Sequence, residues 1–119
     1  MPDLVQLLGQ KYKEWLHAVN TPLEMEKAAE VEHLIYGMLQ DVYFLEYLKF
    51  DPQKMPEKEK VPNFLFSIGV KLAVSYMGTR EDSELGKNSM DRDEIENIYY
   101  AASAFIHMSQ MAKLGMMFD

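Results

Sequence analysis

An all-α, antiparallel four-helix bundle is the fold class this chain predicts, and three observations predict it. Apolar residues recur three and four positions apart in four separate segments, capping signals and breakers divide those segments, and no alternating strand pattern occurs. The 119 residues suit one helical-bundle domain, 1–119, large enough for a core of its own. Hydrophobic residues at 48% and charged residues at 26% are the proportions of a chain that folds rather than of a disordered one.

The first helix is expected at about 3–19, where Leu4, Val5, Leu8, Tyr12, Trp15, Leu16 and Val19 fall on one side of a helical wheel. Thr21, Pro22 and Glu24 then form a capping-box pattern, with proline at the first helical position, and open a helix expected at about 22–49. Asp51-Pro52 ends it, because the residue before proline is pushed away from helical backbone angles. The stretch from Asp51 to Pro62 holds three prolines and alternating Lys and Glu, so it reads as a solvated connection. It is longer than the roughly 2–8 residues that usually join neighbouring helices, which allows it to cross the bundle. Asn63 is the expected cap of a third helix at about 64–77, closed by Gly78, with a polar loop from Thr79 to Met90. Asp91 with Glu94 is a second capping box and opens the last helix, expected at about 92–114 and stopped by Gly115.

Composition excludes several functions. The chain has no cysteine, hence no disulfide, thiolate nucleophile or Cys-bound metal. A net charge of −7 opposes nucleic-acid binding, which depends on Lys and Arg neutralising phosphates. The apolar stretch Phe64 to Met77 is shorter than the roughly 20 residues of a membrane span and contains Lys71. The start, Met-Pro-Asp-Leu-Val, lacks the basic head of a secretory signal, so a cytoplasmic location is expected.

Two helices carry more apolar surface than one bundle side requires. In the last, Ile95, Ile98, Ala102, Phe105, Ile106 and Ser109 form the expected core face, while Tyr100, Ser103, Ala104, His107 and Met111 form a second weakly polar stripe. In the third, Phe64, Ile68 and Leu72 are the core side, and Phe66, Val70, Ala73 and Met77 lie opposite. These two second stripes predict an association surface and a homo-oligomer, with an unidentified protein partner as the other occupant. The alternative cover is the chain itself, either the Asp51 to Pro62 connection or the end Met116-Met117-Phe118.

Residues of chemical interest are few. Glu14 with His17 and Glu30 with His33 have the Glu-x-x-His spacing of di-iron bundles, but all four fall away from the apolar stripes and the third helix supplies no acid, so solvated pairs are expected and no metal. The acidic stretch from Asp82 to Asp93 departs from the calcium-loop pattern in its glycine and a missing carboxylate. Glu46 is a candidate buried carboxylate, since it projects near the face of Ile35, Leu39 and Val42; Lys71, Tyr12 and Tyr76 are its conceivable partners. No phosphate-binding glycine loop is present, and three scattered His assemble no catalytic triad, so no cofactor is expected and the reading leans against an enzyme.

The segment Asp91-Arg-Asp-Glu-Ile-Glu-Asn-Ile-Tyr-Tyr-Ala-Ala-Ser-Ala-Phe-Ile-His resembles the closing helix of cobalamin adenosyltransferase-like bundles, and the helix layout is similar to small archaeal proteins of that shape. The resemblance covers the spacing of Ile95, Ile98 and Ala102; the family's Leu-Ser-Asp segment is replaced by Ile98-Tyr99-Tyr100, and its glycine- and threonine-rich N-terminal loop is absent. It implies an oligomerising bundle, and shape alone carries no activity. The leading expectation is a non-enzymatic homo-oligomer acting through its apolar surface. The alternative is a small-molecule or nucleotide binder, or an adenosyltransferase-like bundle, with a site between helices or subunits lined by residues such as Trp15, Tyr76, Tyr99 and Tyr100; a Glu/His metal-binding bundle ranks third.

Overall fold

A computed structural model of the chain describes residues 3–51, 54 and 56–116, and the described residues form helices and loops with no strand. The helices are α1 (Asp3–Ala18), α2 (Glu24–Leu39), the short α3 (Val42–Tyr47), α4 (Val61–Glu84) and α5 (Arg92–Lys113), with a 3-10 turn at Lys58–Lys60 leading into α4. None of them is long and apolar enough to cross a membrane. Pro52, expected to end the second helix, and Met117 and Phe118, expected as an alternative cover, lie outside the described residues.

Side-chain pairings give the helix directions. Lys11 meets Glu30 while Glu14 meets Lys27, so α1 and α2 are antiparallel. Gly69 lies against Ile106 and Tyr76 against Tyr99, so α4 and α5 are antiparallel too. Gln6 bonds to Asn97 whereas Trp15 packs on His107, so α1 and α5 run the same way. It follows that α2 and α4 share a direction, so the chain returns from one end to the other between them. The long connection is therefore a crossover, with α3 as its folded part.

Four expected boundaries shift, each for a local reason. The second helix does not continue to 49: it ends at Leu39, and Asp41 opens α3 by accepting a hydrogen bond from the Phe44 amide at 2.8 Å. Thr21 does not complete a capping box; its Oγ1 accepts from the Leu23 amide at 3.2 Å in a turn that precedes α2. Asn63 is not a cap, because Pro62, whose fixed φ suits a first turn, already lies inside α4. Gly78 does not end that helix, which runs on to Glu84. The stop is Gly86 at φ 72°, where the Gly86 and Lys87 amides bond back to Ser83 and Asp82 in a Schellman motif. Gly115 at φ 71° closes α5 in the same way, and the Asp91–Glu94 capping box forms at its start, both as the sequence predicts.

The helix at the centre is α5, which packs along α4 on one side and α1 on the other and also touches α2. Its Ile98, Ala101, Ala104 and Phe105 are fully buried, and Phe105 stacks on Phe44 with ring centroids 6.0 Å apart. The Cα envelope is a slab of 44 × 38 × 19 Å, only two helices deep. In such a slab α4 is an outer helix. Val5, Leu8, Val31, Ile35, Leu65 and Ile68 complete the core between the layers.

Two glycines, Gly9 and Gly69, face α5 at close range. A Cβ on Gly9 would run into the backbone of Asn97, while one on Gly78 would meet open space. Gly9→Ala should therefore lower stability by about 1–3 kcal/mol, and Gly78→Ala should raise it by about 0.4–1 kcal/mol by restricting the unfolded chain. Urea unfolding of both variants checks this; a Gly9→Ala variant as stable as the parent would contradict the α1–α5 approach.

Candidate functional site

The outer face of α4 carries a row of exposed apolar side chains. Phe66, Val70, Val74 and Met77 are 46%, 41%, 63% and 66% exposed, whereas Leu65, Ile68 and Leu72 on the inner side are fully buried. Ala73 sits half-buried at the margin. Val74 was legible as the next step after Phe66 and Val70 at four-residue spacing, and it belongs to the row as much as they do. Between Val61 and Thr79 the chain holds a single charged residue, Lys71. Its ammonium does not reach the outer face: Nζ donates to the Leu48 carbonyl at 2.6 Å and lies 4.0 Å from the Phe50 ring centroid. Lys71 thus closes the C-terminal end of α3, and from Val61 to Thr79 the outer face of α4 is free of charge on a chain of net charge −7.

The second stripe of α5 is in a different situation. Ala104 is fully buried and Tyr100, Ser103, His107 and Met111 are half-buried, because α1 packs on that side. This corrects the expectation of a free stripe: α1, running beside α5, covers it within one chain. Lys13 of α1 lies over the Tyr100 ring at 5.4 Å, and Trp15 and His107 meet edge to face at 5.0 Å. Tyr12 Oη and His107 Nδ1 share a hydrogen bond of 3.3 Å. Burial lowers the His107 pKa below its ordinary 6.5, so the imidazole is neutral at pH 7. Burial also raises the Tyr12 phenol, with Tyr99 adding in the same direction.

Beside this trio a cleft of about 380 Å³ opens between α1, α2 and α5. Tyr12, Trp15 and His107 line one part of it, and Met25, Met108, Met111 and Met116 another. Glu24 and Glu32 of α2 also line it. Of the aromatic residues expected at a binding site, Trp15 is here; Tyr76, Tyr99 and Tyr100 form a separate row, with centroids 5.4 Å apart at each step. Tyr12 belongs to the expected apolar side of the first helix and Met111 to the second stripe of the last, and only the crossover, which sets α1 parallel to α5, brings them together around His107.

Glu46 is exposed, a correction of its expected burial. The break at Gln40–Asp41 rotates α3 out of phase with α2, so Phe44 and Leu45 turn inward and Glu46 outward. Glu14 and Glu30 are engaged with lysines: Lys27 lies 3.5 Å from both, and Lys11 3.7 Å from both, in a four-charge ring joining α1 to α2. Glu30, then Glu14, holds the Lys27 ammonium above its ordinary pKa. His17 Nδ1 donates to the Lys13 carbonyl at 2.8 Å and His33 is exposed. Among the described residues no three His, Asp or Glu side chains are grouped to hold a metal ion.

No family model, curated protein or solved structure matches the chain. A functional reading therefore rests on these surfaces.

Because the folded protein disfavours protonated His107 while the unfolded chain does not, the unfolded state binds the extra proton below pH 6.5. Stability from this residue is complete above that pH and is lost as pH falls from 6.5 toward the lowered folded pKa. NMR titration of the imidazole carbons should give His107 a midpoint below 6.5; a midpoint at or above it would contradict the buried neutral ring.

Proposed function

We propose that this chain is a non-enzymatic four-helix bundle with one crossover, and that it works by self-association through the outer face of α4. The observation that carries the reading is the row Phe66, Val70, Val74 and Met77, exposed along a helix that has no free charge from Val61 to Thr79. Monomers rarely leave so continuous an apolar strip in water, because every exposed CH₂ group that a partner covers contributes about 0.8 kcal/mol. The strip suits a second copy of itself. Two acidic chains repel at most orientations, and a charge-free face lets them meet without bringing carboxylates together. A two-fold arrangement, α4 against α4, is the simplest closed assembly of such a face.

Light scattering on the purified chain should give twice 13.9 kDa. Val70→Glu with Val74→Glu should give a folded monomer, since each substitution places a carboxylate in the apolar contact. Tyr43→Glu, on the 84% exposed Tyr43 of α3, should leave the dimer intact. A monomeric parent, or a doubly substituted chain that remains dimeric, would overturn the reading. Ala104→Glu is not a test of association: Ala104 is fully buried, and a carboxylate there would unfold the chain.

A further inference from the structure

The cleft between α1, α2 and α5 has the chemistry of a binding site for an organic cation, independent of the α4 face. It combines three features: an apolar lining of aromatic and methionine side chains, two acids, and no opposing base. Its volume of about 380 Å³ falls in the range of small-ligand sites, roughly 300–1,000 Å³. Glu24 and Glu32 are half-buried and neither carboxylate has a hydrogen-bond or ion-pair partner among the described residues, in contrast to Glu14 and Glu30 of the neighbouring charge ring. No lysine or arginine lines the cleft among the described residues, and its one basic side chain, His107, is bonded to Tyr12. An anion placed there would face two carboxylates with nothing to offset them.

We propose that the cleft takes an amphiphilic monocation, an ammonium group joined to an apolar or aromatic body. The ammonium would sit between the acids and the electron-rich ring faces of Tyr12 and Trp15, which attract cations through their quadrupoles. The apolar body would pack on Met25, Met108 and Met111, whose unbranched, polarisable side chains adjust to ligands of differing outline. A neutral molecule of the same shape gains only the second contribution. Selectivity for positive charge is thus the signature of this site.

Trp15 is the chain's single tryptophan, so its fluorescence reports on the cleft directly. The probe is benzyltrimethylammonium, titrated into the full chain to about 10 mM, a concentration at which even a weak site fills. A saturable change in Trp15 emission is expected, with the neutral isostere neopentylbenzene and the anion phenylacetate each binding at least about tenfold more weakly. Glu24→Gln with Glu32→Gln, on a chain shown folded by circular dichroism, should weaken the cation by about tenfold and leave neopentylbenzene unchanged. No saturable response to the cation, or equal binding of the neutral isostere, would overturn the proposal without recourse to any variant. Because dimer mass by light scattering reads α4 alone, failure here and failure there are separable.

Discussion

Small residues where helices cross let α5 lie against two neighbours at once. Gly9 of α1 sits on the Asn97 backbone, Gly69 of α4 sits on Ala102 and Ile106, and Ala101 and Ala104 are fully buried between them. With a Cβ at Gly9 the axes would have to move apart, and one at Gly69 would press on the Ile106 side chain, so contacts around Ile98 and Phe105 would loosen. Polar bonds pin the same crossing: Asn97 Nδ2 donates to Gln6 Oε1 at 3.0 Å, and Gln6 Nε2 donates to the Glu94 carbonyl at 2.9 Å. A central helix held this way needs apolar or small residues around half its circumference. That requirement, rather than association, accounts for the second stripe of α5.

The consequence passes outward to both flanks. On one, α1 occupies the side of α5 where Tyr100, Ala104 and His107 lie, and α2 joins them to enclose a cleft of aromatic and methionine side chains. On the other, α4 spends its inner side, Leu65, Ile68 and Leu72, on the core and has no long helix against its outer side. The crossover packs on other parts of α4: Phe50 meets Phe64 at 5.0 Å near the start of the helix and the Leu48 carbonyl accepts from the Lys71 ammonium at its middle, while Phe66, Val70, Val74 and Met77 stay exposed. Removing the charge of Lys71 from the outer face is what makes that row continuous.

Much of this was legible in the residues, and the exceptions have physical causes. The four long helices, the Asp91–Glu94 box and the Gly115 stop follow from local patterns, because caps and periodicity act within a turn or two. Gly78 does not stop α4 because a solvent-facing glycine costs a helix only about 1 kcal/mol relative to alanine, and the following turns carry the Arg80–Glu84 pair and the Asn88 bond to the Thr79 carbonyl. The stop is Gly86, further along the chain. Asp41 is a cap signal three residues before Phe44, and the helix it opens turns Glu46 outward. What no local pattern carries is the direction of α5 relative to α1. Whether Ala104 and His107 meet solvent, a second copy or α1 depends on which way the chain returns after residue 60, a long-range property.

The proposed dimer brings the outer face of α4 against the same face of a second copy. Since the chain has no cysteine, Ser67→Cys, exposed beside the apolar row, accepts a single nitroxide label without disturbing any native thiol. Double electron–electron resonance on this singly labelled protein reads only distances between chains. Helices packed face to face lie about 8–10 Å apart, so a narrow interspin distance of about 15–30 Å is expected once label length is added. A decay with no dipolar modulation at micromolar protein concentration would contradict the account.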